Sequence, residues 1–172
     1  MNIFIVADND QDSPQMMAPS LSQFFESHLG WESESEVMQV GKQLGIDLAP
    51  FLNFTEKENI ENAQWQDLNA VLYLTQKFIG KLKDDPKLHE RIHYSAMPQS
   101  HLQEQLLKLT LNGDKKGIAK FVKEWQHIPD SHFPPEIGYV RRGFLLEDLI
   151  ALEKMLRGMM KDGASRIQLH YY

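Results

Sequence analysis

The pentapeptide His89-Glu90-Arg91-Ile92-His93 reads H-E-x-x-H. On a helix, two histidines four apart share a face, so the pair can hold zinc while the glutamate serves as a general base for hydrolysis. The flanks argue against that use. Lys87 and Arg91 put charge where a buried catalytic helix needs apolar residues, and Pro86 leaves barely two turns. An extended pattern would want glycine at Ala96 and a ligand at Gln99, so His101 or Glu104 would have to be recruited as third ligand. A metal-dependent hydrolase with His89 and His93 as ligands and Glu90 as base is therefore the alternative reading; the first reading expects no cofactor and no catalytic residue.

A second constellation, Asp8-Asn9-Asp10-Gln11-Asp12, follows an apolar run. Carboxylates at the C-terminal end of a strand can hold magnesium or accept a phosphoryl group. The segment resembles the first motif of haloacid-dehalogenase-type phosphatases and the acidic pair of receiver domains. It departs from them at Asp12, where the phosphatase motif has Thr or Val, and the chain lacks the alternating strands and helices of those folds. As a calcium loop it fails at Ser13 and Pro19, which replace the required glycine and bidentate glutamate. What remains is a polar loop rich in carboxylate. A third cluster, Glu32, Glu34 and Glu36, follows Trp31, whose large amphipathic ring makes it the best aromatic candidate for an exposed binding anchor. No nucleophile elbow, phosphate-binding loop or dinucleotide fingerprint occurs.

The charge distribution ties these acidic clusters together. The 172 residues carry a formal net charge of −6, but residues 1–76 hold twelve acids against Lys42 and Lys57, a balance of −10, whereas residues 77–172 sum to +4. A front at −10 repels nucleic acid and anionic lipid. Two arrangements remain. Either the fold lays the acidic front on the basic back, or some carboxylates stay exposed and steer a cationic partner into contact. Zero cysteines exclude thiolate metal sites, cysteine nucleophiles and a disulfide scaffold, and fit a reducing compartment. No base precedes Lys42 and no apolar run approaches 18 residues, so neither a signal peptide nor a membrane span is expected, and the cytoplasm is the expected location.

The elements that must position these groups are mostly helical. Asn2 to Ala7 reads as a buried strand, followed by a polar stretch from Asp8 to Pro14. Ser20 to Leu29 reads as a helix, and Ser33 and Glu36 have capping-box spacing before Val37, Val40 and Leu44. Phe51, Leu52 and Phe54 dock a loop or edge strand, and the strongest helix runs from about Trp65 to Lys83. Asp85-Pro86 starts a short helix to about His93. Leu102 to Leu111 and a helix capped by Asp114, with Ile118, Phe121, Val122 and Trp125 inward, make a helical hairpin. Residues 128–139, with three prolines, form a loop. A helix from Phe144 to Lys161 stops at Gly163, and Ser165 to Tyr172 alternates as a half-buried strand, Ile167, Leu169 and Tyr171 against Arg166, Gln168 and His170. The expected fold is a helix-rich α+β single domain over residues 1–172, whose small sheet pairs the N- and C-terminal strands.

A cysteine-free acidic chain of this character, with the leucine-rich stretch GFLLEDLIALEKMLRGMM and the terminal strand SRIQLHYY, resembles the small bacterial immunity proteins, including those of contact-dependent inhibition systems. The resemblance implies that it binds one cognate protein toxin, often a nuclease with a basic cleft, and neutralises it, with neither nucleic acid nor membrane as partner. The candidate contact residues are Asp8, Asp10, Asp12, Trp31, Glu32, Glu34 and Glu36.

Overall fold

The computed structural model of the chain describes residues 2–27, 35–56, 63–92, 108–125 and 138–171. Two compact units result: Met1–His93 with Ile137–Tyr172, and Tyr94–Glu136.

In the first unit the two chain ends meet. Strand β1 (Ile3–Ala7) pairs antiparallel with β5 (Arg166–Tyr171), Ile5 opposite Leu169 and Ala7 opposite Ile167. On the other edge of β1 lies β2 (Asp10–Met16), and on the other edge of β5 lie β3 (Phe54–Glu56, parallel) and the short β4 (Gln66–Asp67, antiparallel). The expected pairing of terminal strands in a small sheet within a helix-rich α+β fold is what the chain adopts.

Helices α1 (Pro19–Glu26), α2 (Glu36–Leu44), α3 (Ala49–Leu52), α4 (Leu68–Asp84), α6 (Tyr139–Arg142) and α7 (Phe144–Lys161) belong to the same unit. Their apolar stripes are those of the sequence: Leu21, Phe24 and Phe25 on α1, Leu68, Val71, Leu72, Phe78 and Ile79 on α4, and Leu145, Leu149, Leu152, Leu156 and Met159 on α7 are all buried. Phe25 stacks on Phe51 at 4.9 Å, and Phe24 meets Phe25 at 5.3 Å, giving the core an aromatic centre. The α4 and α7 helices are joined at their seam by Gln76, which donates to Glu153 at 3.0 Å, while Arg157 pairs with Glu153 at 2.8 Å. Gln76 and then Arg157 hold the Glu153 carboxyl below its ordinary pKa.

Two glycines answer geometric demands. A Cβ on Gly41 would lie 3.0 Å from the Ile46 carbonyl, so glycine inside α2 is required by the chain folding back over it. Gly45 takes φ 63°, the left-handed residue that ends α2 while Ile46 N–H donates to Gly41 O at 2.9 Å.

Several expectations need correction. The stretch from Asp8 to Pro14 is not a simple loop: β2 pairs with β1 through Asp10, Gln15 and Met16, and the intervening residues bulge out where the register jumps between Ile5 and Ala7. α1 is described only to Glu26 and Ser27, and the cap of α2 is Ser35, whose hydroxyl accepts from Met38 N–H. The expected helix from Lys87 to His93 is a single 3-10 turn, Leu88–Glu90. Asp85 does not cap it with its side chain; its carboxylate pairs with Arg91, which also donates to Gln43. The terminal strand is not half-buried, since Gln168 and His170 are buried along with Ile167 and Leu169. The face that Gln168 and His170 share is covered in part by the segment at Ala63, whose carbonyl accepts from Gln168 at 2.8 Å.

In the second unit, 108–111 is helical and α5 (Lys115–Trp125) follows a turn through Gly113; Gly117 N–H donates to Asp114 Oδ1 at 2.8 Å, as expected of the cap. Val122, expected inward, is 39% exposed. The expected loop at 128–139 falls mainly outside the described residues, and its last residue, Tyr139, opens α6.

Candidate functional site

The seven carboxylate and tryptophan positions singled out in the sequence have different fates. Trp31, Glu32 and Glu34 lie outside the described residues, as does His93. Asp8 is turned inward at the base of the β1–β2 hairpin. One of its oxygens accepts from Ser165 N–H at 2.9 Å, and the other from the Ser165 hydroxyl at 2.7 Å and from Arg166 Nε at 3.4 Å. The Ser165 hydroxyl first, then the Ser165 amide, hold this carboxyl well below the usual carboxylate range. Arg166 in turn lies over the Trp65 ring at 5.5 Å. Asn9 completes the anchorage by donating to Asp162 O at 2.9 Å.

Glu36 is likewise spent internally. It is 8% exposed, and its carboxylate accepts from Tyr139 N–H at 3.1 Å and Val140 N–H at 2.8 Å. Those are the first two amides of α6, which have no partner within the helix, so Glu36 supplies the capping charge from another element. Asp8 and Glu36 thus spend hydrogen bonds within the protein: Asp8 on the Ser165 amide and hydroxyl and the Arg166 guanidinium, Glu36 on two amides of α6.

Asp10 and Asp12 behave oppositely. Every residue of β2 is exposed, Met16 at 47% among them, so the outer strand of the hairpin buries no side chain while β1 supplies the core. Neither Asp10 nor Asp12 has a hydrogen-bond or ion-pair partner among the described residues. The bulge and Pro14 also interrupt the free strand edge, which limits uncontrolled strand pairing while leaving the side chains outward.

The front-to-back charge question can be read from the ion pairs that join described residues. Asp8–Arg166 crosses from the acidic front to the basic back, whereas Arg91–Asp85 and Arg157–Glu153 both lie within the back. Compared with protein-family models, curated proteins and solved structures, the chain matches none.

The histidine motif does not assemble a site among the described residues. His89 and Glu90 occupy a 3-10 turn, whose three-residue period does not give the α-helical face that zinc chemistry needs, and His89 Nδ1 lies 3.2 Å from Pro86 O. Among the described residues no three histidine, aspartate or glutamate side chains converge on a metal-sized point.

Two features escaped sequence reasoning. One is a groove of about 690 Å³ between α2 and α3, lined by Val37, Met38, Gly41, Leu48, Ala49 and Leu52, with Lys42, Asp47 and Asn53 also on its walls. The paired glycines Gly41 and Gly45 were its signal, because they allow Ile46 to Leu48 to turn tightly under α2. The other is the buried pair of Gln168 and His170 on β5. Gln168 donates to Ala63 O at 2.8 Å and its oxygen lies 3.1 Å from His170 Nε2, while His170 Nδ1 has no partner among the described residues. Alternation suggested that both faced solvent, and the segment at Ala63, more than 100 residues away in sequence, covers Gln168 instead.

Proposed function

We propose that this protein is an immunity-type inhibitor that binds a cognate protein toxin and neutralises it, using the carboxylates of the β1–β2 hairpin arm to steer a cationic surface into place. The observation that carries this reading is the exposure of every residue of β2, with the Asp10 and Asp12 carboxylates unpaired among the described residues. Carboxylates on an exposed edge strand that is paired to a buried one keep their field in solvent, where it raises the encounter rate with a basic surface and orients it. Asp8, Asn9 and Ser165 form the base of the arm and make no contact in this scheme. Trp31, Glu32 and Glu34, outside the described residues, remain candidate contacts of the same reading on their residue types alone. A nuclease with a basic cleft is the toxin class that fits, and the encounter takes place in the cytoplasm without nucleic acid or membrane as partner. No helix among the described residues is long and apolar enough to cross a membrane.

The test is to mix the protein with the toxin encoded beside its own gene. A tight complex is expected, with an association rate that falls steeply as the screening length shrinks from about 30 Å at 0.01 M salt to about 8 Å at 0.15 M. Absence of a complex, or association indifferent to salt, overturns the reading.

A further inference from the structure

The α2–α3 groove shares no lining residue with β2, so what it binds is a separate question from toxin capture. Its volume, about 690 Å³, falls in the range of small-molecule sites, and its walls are dominated by Val37, Met38, Leu48, Ala49 and Leu52. The charges on it are unequal in availability. Asp47 is tied to the start of α3, its Oδ1 accepting from Ala49 N–H at 2.9 Å. Lys42, exposed and on a long flexible stem, has no ion-pair partner among the described residues. An apolar trough with one free ammonium beside it is complementary to an apolar tail ending in one negative charge.

We infer that this groove binds a free single-chain anionic amphiphile, such as a medium-chain carboxylate, with the tail against Val37, Leu48 and Leu52 and the head group on Lys42. The tail gains by leaving water, and the head keeps an ion pair at the solvent edge rather than a buried charge. This inference is independent of the immunity reading and survives its failure.

The experiment is calorimetric titration of the full chain with sodium octanoate, decanoate and dodecanoate, each kept below its micelle concentration. Saturable one-to-one binding is expected, tightening about fourfold per added methylene while the groove still covers the tail. Lys42→Glu should weaken dodecanoate about tenfold and favour dodecyltrimethylammonium instead. Ala49→Trp, at an exposed position, should abolish binding by filling the trough while leaving the circular dichroism spectrum unchanged. The inference is overturned if carboxylate and trimethylammonium bind wild type equally, or if Ala49→Trp binds as wild type does. Association with phosphatidylglycerol vesicles that exceeds binding of the free carboxylate, or no heat with any of the three chains, overturns it too.

Discussion

Asp8 and Asp10 are two residues apart on one hairpin, yet they do different work. Asp8 faces the turn between α7 and β5, where an amide, a hydroxyl and a guanidinium converge on it. Asp10 stands beyond the last buried residue of β1 and meets solvent. Glu36, from the second cluster, repeats the lesson from a buried position, where its charge closes the N-terminus of α6. Carboxylates that look equivalent in a charge count divide by whether unpaired backbone donors lie within reach. Those with donors hold the fold together, and those without supply the external field.

The comparison breaks most visibly at Glu36. Glu36→Ala leaves two amides of α6 without their charged acceptor, and should lower unfolding free energy by about 3 kcal/mol, measured by urea denaturation. Glu36→Gln retains one acceptor oxygen and should lose less. If both variants are as stable as wild type, the division between structural and external carboxylates fails.

The next effect is pH dependence, and it comes in two stages. Burial holds the His170 imidazole below its ordinary value of 6.5, so the folded ring resists a proton that the unfolded ring accepts. Its contribution is complete above about 6.5 and is lost as pH falls through the depressed folded value. Asp8, held down by Ser165, contributes in the same sense further along: its share is complete above the ordinary 3.8 and declines only as pH drops toward its folded value. Urea midpoints measured from pH 7.5 downward should therefore decline first through His170 and again at strong acid. His170→Phe should remove the first decline, and Asp8→Asn should shrink the second, to which Glu153 and Asp85 also contribute. A smooth profile identical in all three proteins would contradict both assignments.

The smallest effect on stability belongs to the outward pair. Asp10→Asn combined with Asp12→Asn should change unfolding free energy by less than about 0.5 kcal/mol. The same double variant should slow association with the toxin several-fold at low salt and leave dissociation nearly unchanged, as read by stopped-flow mixing. A large stability loss without a change in on-rate would place these two residues with Asp8 and Glu36.

Periodicity and punctuation settled the local elements. The stripe from Leu68 to Ile79, the capping of α5 by Asp114, the Glu153–Arg157 pair and the stop at Gly163 all follow from interactions within a few residues, which the order of side chains states directly. Even the pairing of β1 with β5 was legible, because two apolar strands at the ends of a helical chain have few other ways to satisfy their backbones. The tertiary structure decided which polar groups face inward. Ser165 is 157 residues from Asp8, and Tyr139 is 103 from Glu36, and such donors leave no trace in local spacing. It also enclosed Gln168 and His170, with the distant segment at Ala63 laid against Gln168. Local order dictates what each segment can be; only long-range packing determines which of its charges remain for the outside.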